Sequence, residues 1–469
     1  MFHVKHPLTP PDEDTIAAIA TPFGIGGLGG VRISGPKALE IARRIFRPRH
    51  PPQDLPSHRL RYGHIVDPES GEVVDEVLLV FMRAPKTYTR QDVVEISGHG
   101  GYLVLKKILE LVLREGAREA APGEFTKRAF LAGRIDLTQA EAVLEVIEAQ
   151  SEEALRLAQR QLEGRLSREV QRLKEMLLDL LVPLEAWLDL PEEEIPQPNE
   201  AELEEGIKGV LESMEKLLEH YRQEVVYREG IRTAIVGKPN VGKSSLLNRL
   251  LGRERAIVTP LPGTTTDLIE ETIVLKGIPF RLVDMAGLSS PRDLVEEEGI
   301  RRARRQLEEA DLLLLMVDRS RPLDEEDEDL FREVRTRGKP TLLVVNKVDL
   351  PAAFSPEELK DVRAEGPYFI SALTGQGVEA LTQAMVDVAL RGRIRTSPGE
   401  LVPLNLRHKR ILEAVRDDLK QLLASLDEMP WDLVALELRG VLHRLGEIVG
   451  ETTPEEVLEE IFSRFCIGK

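Results

Sequence analysis

The chain has 469 residues, 42% hydrophobic and 31% charged, and its 63 Lys and Arg against 81 Asp and Glu give a formal net charge of −18. That size predicts about two to four domains of a soluble globular protein rather than one core. The single cysteine, Cys466, excludes an intramolecular disulfide and Cys-based zinc sites, no run approaches the roughly 18 apolar residues of a membrane span, and MFHVKHPLTPPDEDT has no signal-peptide core, so a cytoplasmic protein without a membrane partner is expected.

In chain order, TIAAIA and GGVRISG read as strands, PKALEIARRIF as a helix, and VVDEVLLVFM and DVVEISG as strands. YLVLKKILELVLREG reads as an amphipathic helix ending at Gly116. The alternation implies an N-terminal α/β or α+β domain. The stretch Arg43, Arg44, Arg47, Arg49, Arg59 and Arg61 is locally basic, and a solvated face explains it better than a nucleic-acid site. Gly24-Ile25-Gly26-Gly27-Leu28-Gly29 fits G-x-G-x-x-G, but a strand follows where a dinucleotide turn needs a helix, so NAD binding is not expected. His99 has no nucleophile beside it and reads as a structural turn residue.

From 135 the texture becomes helical. Leu155, Leu162, Leu166, Leu173, Leu177, Leu180 and Leu184 recur at helical spacing, predicting one long helix or a pair, with Pro183 kinking or interrupting it. Residues 191–200 read as a turn, and LEEGIKGVLESMEKLLEHY resumes the helix. Strands and helices alternate over 231–391. After TSPGELVPLN three helical patterns follow: KRILEAVRDDLKQLLASL, WDLVALELRGVLHRLGEIVG and PEEVLEEIFSRF. The expected organisation is an N-terminal domain over 1–133, a helical domain in two pieces over 134–229 and 392–469, and a Ras-like P-loop domain inserted over 230–391.

The inserted block carries the chemistry. Gly237-x-x-x-x-Gly242-Lys243-Ser244 follows an apolar strand and opens a helix, as a P-loop must. Its glycines let main-chain N–H groups of Asn240, Val241, Gly242, Ser244 and Ser245 converge on phosphate at a helix N-terminus. Lys243 is expected on the β- and γ-phosphates and the Ser244 hydroxyl on Mg²⁺. Asp284-Met285-Ala286-Gly287 ends another apolar strand. There a carboxylate can hold the Mg²⁺ shell and Gly287 can offer its N–H to the γ-phosphate. Asn346-Lys347-Val348-Asp349 follows. The Asp349 carboxylate only accepts hydrogen bonds, so it suits the ring N–H and amine of guanine and not adenine. Ser371-Ala372 can place an N–H near the guanine oxygen. Between the first two motifs, Thr265 is the candidate switch threonine for Mg²⁺, with Thr264 the neighbouring alternative. The order of these motifs defines a GTPase.

Leu288 stands where Ras-type enzymes hold a water-orienting glutamine, and an isobutyl group cannot orient water. The acidic run Glu296, Glu297, Glu298 downstream offers a base, although on the residues alone these read as helix-start charges.

Taken together, the chain resembles the bacterial tRNA-modification GTPase family MnmE (TrmE) over nearly its whole length. DTIAAIATPFGIGGLGGVRISG, DVVEISGHGG, PGEFTKRAFLAGRIDLTQAEAV and the closing Cys466-Ile467-Gly468-Lys469 carry the resemblance beside the GTPase motifs. It implies an N-terminal folate-binding and dimerisation domain, with Arg32, Glu95, Lys469 and Arg134 contacting a 5-formyl- or 5,10-methylene-tetrahydrofolate. Arg134 replaces the family's lysine, and the two are not equivalent. The resemblance further implies GTPase domains that dimerise around K⁺, matching Asn240, Thr259, Leu261 and Thr264, with Glu296 as the catalytic glutamate. It implies a homodimer working with the flavoprotein MnmG (GidA) in a heterotetramer or larger complex. There FAD and NADH belong to the partner, and a carboxymethylaminomethyl group is added at C5 of the wobble uridine of certain tRNAs. Met285 and Thr266 depart from the family's threonine and arginine. Cys466 is open to a chemical role or to none. Two other readings compete: a ribosome-assembly-type GTPase sharing only the inserted domain, and a folate-dependent aminomethyltransferase acting alone.

Overall fold

The computed structural model describes residues 14–22, 24–50, 54–189, 196–254, 271–284, 307–360, 362–391 and 401–469. These divide into two compact units, Met1–Leu144 with Gln161–Met214 and Leu406–Lys469, and Glu145–Arg160 with Glu215–Asn405.

The first unit opens with strands β1 (Ile16–Ile19), β2 (Gly26–Ser34), β3 (Phe46–Pro48), β4 (Arg59–Val66), β5 (Val73–Met82), β6 (Val93–Gly100) and β7 (Arg118–Glu119). They form one sheet in the order β3-β4-β5-β6-β2-β1-β7, antiparallel except for the parallel β1–β7 pair. Helices α1 (Ala38–Ile45) and α2 (Tyr102–Arg114) bury Ile41, Ile45, Leu105, Ile108 and Val112 with Val31, Ile33, Ile65, Leu79, Phe81 and Ile96 of the sheet. Period-2 alternation in β5 puts Val77, Leu79 and Phe81 inward and leaves Leu78 exposed. The G-x-G-x-x-G stretch lies largely in β2 and not at a helix start. There a Cβ on Gly100 of β6 would sit 2.6 Å from the Gly26 carbonyl, so the glycines serve close backbone approach. The basic stretch is paired: Arg44 with Glu40 and Glu115, Arg43 with Asp54, Arg49 with Glu76. Arg47 donates to the last carbonyls of α1.

His99 stands on β6 and not in a turn. Its N–H donates to Asp75 Oδ2 at 2.8 Å and its Nδ1 lies 2.6 Å from Asp75 Oδ1. The hydrogen bond and charge of Asp75 raise the His99 pKa. A raised folded value contributes stability fully present below the ordinary histidine value and lost as pH rises through the raised one. Titration of His99 by NMR is expected to show a midpoint above 6.5 that falls back in Asp75→Asn. An unmoved midpoint would sink the pairing.

Helices α3 (Glu124–Leu131), α4 (Leu137–Glu148), α5 (Glu152–Leu162), α6 (Arg165–Asp189) and α7 (Glu200–Arg228) follow. The leucine pattern resolves into α5 and α6, divided at Gly164, whose φ is +77°. Pro183 does not interrupt α6. The carbonyl its missing N–H would have bonded belongs to Asp179, an exposed residue, while Leu181 and Leu184 on either side of Pro183 are buried.

The second unit contains β8 (Ile231–Val236), α8 (Lys243–Glu254), β9 (Glu271–Leu275), β10 (Ile278–Asp284), β11 (Leu312–Asp318), α9 (Glu325–Arg337), β12 (Thr341–Asn346), β13 (Glu365–Phe369) and α10 (Val378–Leu390). Its sheet runs β13-β12-β11-β8-β10-β9, parallel except for β9 against β10. β11 and β12 are buried at every residue, as continuous apolar runs in a parallel sheet require. β8 lies between β10 and β11. The strand order therefore reverses there and opens a crevice at the carboxyl ends, where such sheets bind ligands.

Helices α11 (Leu406–Ala424), α12 (Trp431–Val449) and α13 (Glu455–Ser463) complete the first unit. Glu141 of α4 takes Arg407 Nε at 2.9 Å and His408 Nε2 at 2.8 Å. Burial raises the Glu141 pKa, but the charges of His408 and Arg407 outweigh it and leave the carboxyl well below the usual range. Among the described residues, no helix is long and apolar enough to cross a membrane.

Candidate functional site

Residues 237–242 link the carboxyl end of β8 to the N-terminus of α8. Two conformations that side chains resist make this turn: Asn240 at φ +66° and Gly242 at φ +103°. Lys243 is buried, and its Nζ donates to the carbonyls of Gly237 at 2.9 Å and Lys238 at 3.1 Å, which curls the ammonium back over the loop. Ser244, in the first turn of α8, is exposed. A Cβ on Gly237 would meet the Met316 carbonyl at 2.6 Å, so β11 presses directly on the loop. The result is an anion cradle of main-chain N–H groups at a helix N-terminus with one ammonium beside it. Such a cradle and an exposed first-turn hydroxyl fit a nucleotide with Mg²⁺: Ser244 would hold the ion, which supplies charge neutralisation on the phosphates when bound.

The cradle is tied to two neighbours. Lys238 Nζ lies 2.6 Å from Asp324 Oδ2 and 2.8 Å from Asp327 Oδ2, the capping-box carboxylates of α9. Burial lowers the Lys238 pKa, yet those two partners raise it overall. Asn346, at the end of β12, donates from Nδ2 to the Val241 carbonyl at 2.7 Å and accepts the Ala372 N–H on Oδ1 at 2.9 Å. One buried amide thus joins the phosphate loop to the Ser371-Ala372 loop. Of the Ser371-Ala372 pair expected near the guanine oxygen, the Ala372 N–H is engaged by this amide.

Lys347 follows at φ +65°, and its Nζ is 2.7 Å from Asp318 Oδ2 at the end of β11. Burial raises the Asp318 pKa, but hydrogen bonds from Lys347 and Ser320 hold it below the ordinary value. Val348 N donates to the Ile370 carbonyl at 3.2 Å, fixing the turn that presents Asp349 to solvent. Ser371 is fully buried and its hydroxyl accepts the Thr374 N–H at 3.1 Å. The structure therefore brings Asn240, Val241, Gly242, Lys243, Ser244, Asn346, Lys347, Asp349, Ser371 and Ala372 to one end of one sheet. Asp284 ends β10 at that same edge. Thr259, Leu261, Thr264, Thr265, Gly287, Leu288 and Glu296 lie outside the described residues.

A second cluster forms in the first unit. Arg32 Nε is 2.8 Å from Glu95 Oε1, paired across β2 and β6, and one of its NH groups donates to the Gly468 carbonyl at 3.1 Å. Lys469 O accepts from Phe125 N at 3.0 Å and Thr126 N at 3.4 Å, capping α3, whose N-cap Gly123 has no side chain for the purpose. Gly468 is at φ +97°, with the Ile19 carbonyl 2.4 Å from where a Cβ would stand. Burial, then the charge of Arg32, lowers the Lys469 pKa. Arg134 lies over the Tyr88 ring at 4.8 Å and Arg32 over Phe125 at 5.6 Å. Tyr88 bonds Thr126 Oγ1 at 3.0 Å, and burial raises its pKa. Arg32, Glu95, Arg134 and Lys469 are thus linked through shared neighbours. Sequence reasoning missed Tyr88, Phe125, Lys238 and Asp318. Short local motifs do not extend to residues whose partners lie far along the chain. Cys466 is exposed.

A Ras-like sheet with its P-loop, guanine-specificity and Ser-Ala motifs gathered at the switch point defines a GTP-hydrolysing P-loop GTPase. The particular family follows from the whole chain. The family model described as MnmE helical domain matches residues 137–466, and that described as GTP-binding protein TrmE N-terminus matches 15–134. The tRNA modification GTPase MnmE of Geobacillus thermodenitrificans is 46% identical over 462 residues, 97% of this chain and 99% of the relative. Those of Thermoanaerobacter pseudethanolicus and Geobacter metallireducens are each 46% identical over 97% of this chain and 99% of theirs. The chain belongs to the MnmE family. Relatives that align from end to end leave no room for a protein sharing only the inserted domain.

Proposed function

We propose that this chain is a K⁺-dependent GTPase that acts with the flavoprotein MnmG (GidA) to add a carboxymethylaminomethyl group at C5 of the wobble uridine of certain tRNAs. What carries the reading is end-to-end similarity to proteins named for tRNA modification, joined to a guanine-nucleotide site within the stretch that the MnmE helical-domain model spans. The division of labour is an N-terminal folate and dimerisation domain over 1–133, a helical domain over 134–229 and 392–469, and the GTPase domain over 230–391. The folate carboxylates suit the guanidiniums of Arg32 and Arg134, and the pterin suits Glu95 and the rings of Tyr88 and Phe125. Exposed Leu60, Tyr62 and Leu78 on one face of β4 and β5 support a second copy covering that sheet. In the GTPase domain, Asn240, Thr259, Leu261 and Thr264 answer to K⁺, Ser244 and Thr265 to Mg²⁺, and Glu296 to the water that Leu288 cannot orient. FAD and NADH come with the partner, in a cytoplasmic complex on tRNA.

The test is nucleoside mass spectrometry of tRNA from a strain lacking the gene. The modified wobble uridine is expected to be missing, restored by the wild-type chain, and not restored by Glu296→Ala. Modified tRNA in the deletion strain would overturn the reading.

A further inference from the structure

We infer that Arg249 is a positioning residue for base selection, holding the guanine loop from the helix that begins at the phosphates. Arg249 lies on α8, whose first turn carries Lys243 and Ser244. Its Nε donates to the Ala372 carbonyl at 3.0 Å, and one of its NH groups donates to the carbonyl of Leu373. One planar guanidinium thus grips two consecutive carbonyls of the loop that follows Ser371, a fork that a lysine cannot reproduce.

The opposite side of the same residue is also fixed, since the Ala372 N–H is held by Asn346 Oδ1 at 2.9 Å. Within the loop, Gly375 N donates to the Ser371 carbonyl at 2.8 Å, and Ser371 N to the Gln376 carbonyl at 2.9 Å. Ala372 is therefore clamped between the Asn346 amide and the Arg249 guanidinium. The amide belongs to the guanine-specificity motif, and no sequence motif contains the arginine. Removing the fork frees two carbonyls and lets the loop swing on its Asn346 tether, so the loop beside the base loses its fixed position while the phosphate cradle stays intact. Leu373 is three-quarters exposed, so no apolar packing replaces the grip.

The inference rests on the guanine site described above, and the experiment separates the two. Steady-state kinetics and nucleotide affinity are measured for GTP, ITP and ATP with wild type, Arg249→Ala, Arg249→Lys and Asp349→Asn. In Arg249→Ala the KM for GTP and the release rate of a fluorescent GDP are expected to rise about tenfold, the loss of about one charge-assisted hydrogen bond. The GTP-over-ATP preference falls by a similar factor, kcat at saturation moves much less, and Arg249→Lys recovers part of the loss. A variant that is merely less stable shows lower kcat at unchanged preference. That result, or unchanged KM and preference, overturns the role of Arg249. If Asp349→Asn also leaves guanine preference intact, the base site itself is wrong; if it alone destroys preference, only Arg249 is.

Discussion

Asp349→Asn is expected to reverse the base preference of the protein from GTP to xanthosine triphosphate. The turn that carries the residue is fixed from three directions: Lys347 at φ +65°, its ammonium on Asp318 at 2.7 Å, and Val348 N on the Ile370 carbonyl at 3.2 Å. The substitution is isosteric and the carboxylate is exposed, so the turn does not move. What changes is the hydrogen-bonding pattern. Aspartate offers two acceptors to the ring N–H and amine of guanine, whereas asparagine offers one acceptor and one donor. Xanthine carries a carbonyl where guanine carries the amine, so the asparagine pattern fits it. Two charge-assisted hydrogen bonds of about 1.5–3 kcal/mol each predict a loss of roughly 10²–10⁴-fold in GTP affinity. Calorimetric titration with both nucleotides checks it, and GTP affinity within about twofold of wild type would refute the assignment.

The GTPase half of the molecule was legible because its signals are local. A strand, a glycine turn and a helix start lie within a few residues of one another, and the P-loop and the Asn346-Lys347-Val348-Asp349 motif each sit at the end of a buried apolar strand. The parallel order of the sheet then gathers those ends without further instruction. Elsewhere the relevant contacts are distant. β4 escapes notice because Arg59, Leu60 and Tyr62 are exposed in succession, with Arg61 half-buried between, so no period-2 alternation marks its first half. Gly63 is needed there because a Cβ would stand 2.3 Å from the Arg47 carbonyl, a constraint set by β3 and invisible in the motif. The second cluster depends on Gly468 and Lys469 reaching Arg32 and α3, a pairing that only the fold, or the family resemblance, can supply. His99 was misread for the same reason: the position of Asp75 on a neighbouring strand decides its role, not its own neighbours in sequence.

Gly242→Ala is expected to abolish tight nucleotide binding while leaving the rest of the chain folded. The added methyl meets two obstacles. Position 242 is at φ +103°, a region L-residues avoid, and the Cβ would stand 2.3 Å from Asn346 Nδ2. That amide links the Val241 carbonyl to the Ala372 N–H. If it yields, both halves of the site lose their common reference: the cradle is no longer pinned to β12, and the base loop no longer to the cradle. Backbone strain of about 1–3 kcal/mol and two buried groups left unpaired at about 1–3 kcal/mol each predict at least about a hundredfold loss in GTP affinity. Gly252→Ala, in the helix that follows the loop, supplies the opposite expectation. Its Cβ meets nothing within 4 Å, so the change removes unfolded-chain entropy and raises stability by up to about 1 kcal/mol. Thermal melts with and without GTP read both variants. Gly252→Ala melts higher in either condition, and Gly242→Ala loses the increment that GTP adds to the wild type. Retention of that increment in Gly242→Ala would mean that the loop tolerates the methyl, and that Asn346 does not couple the base to the phosphates.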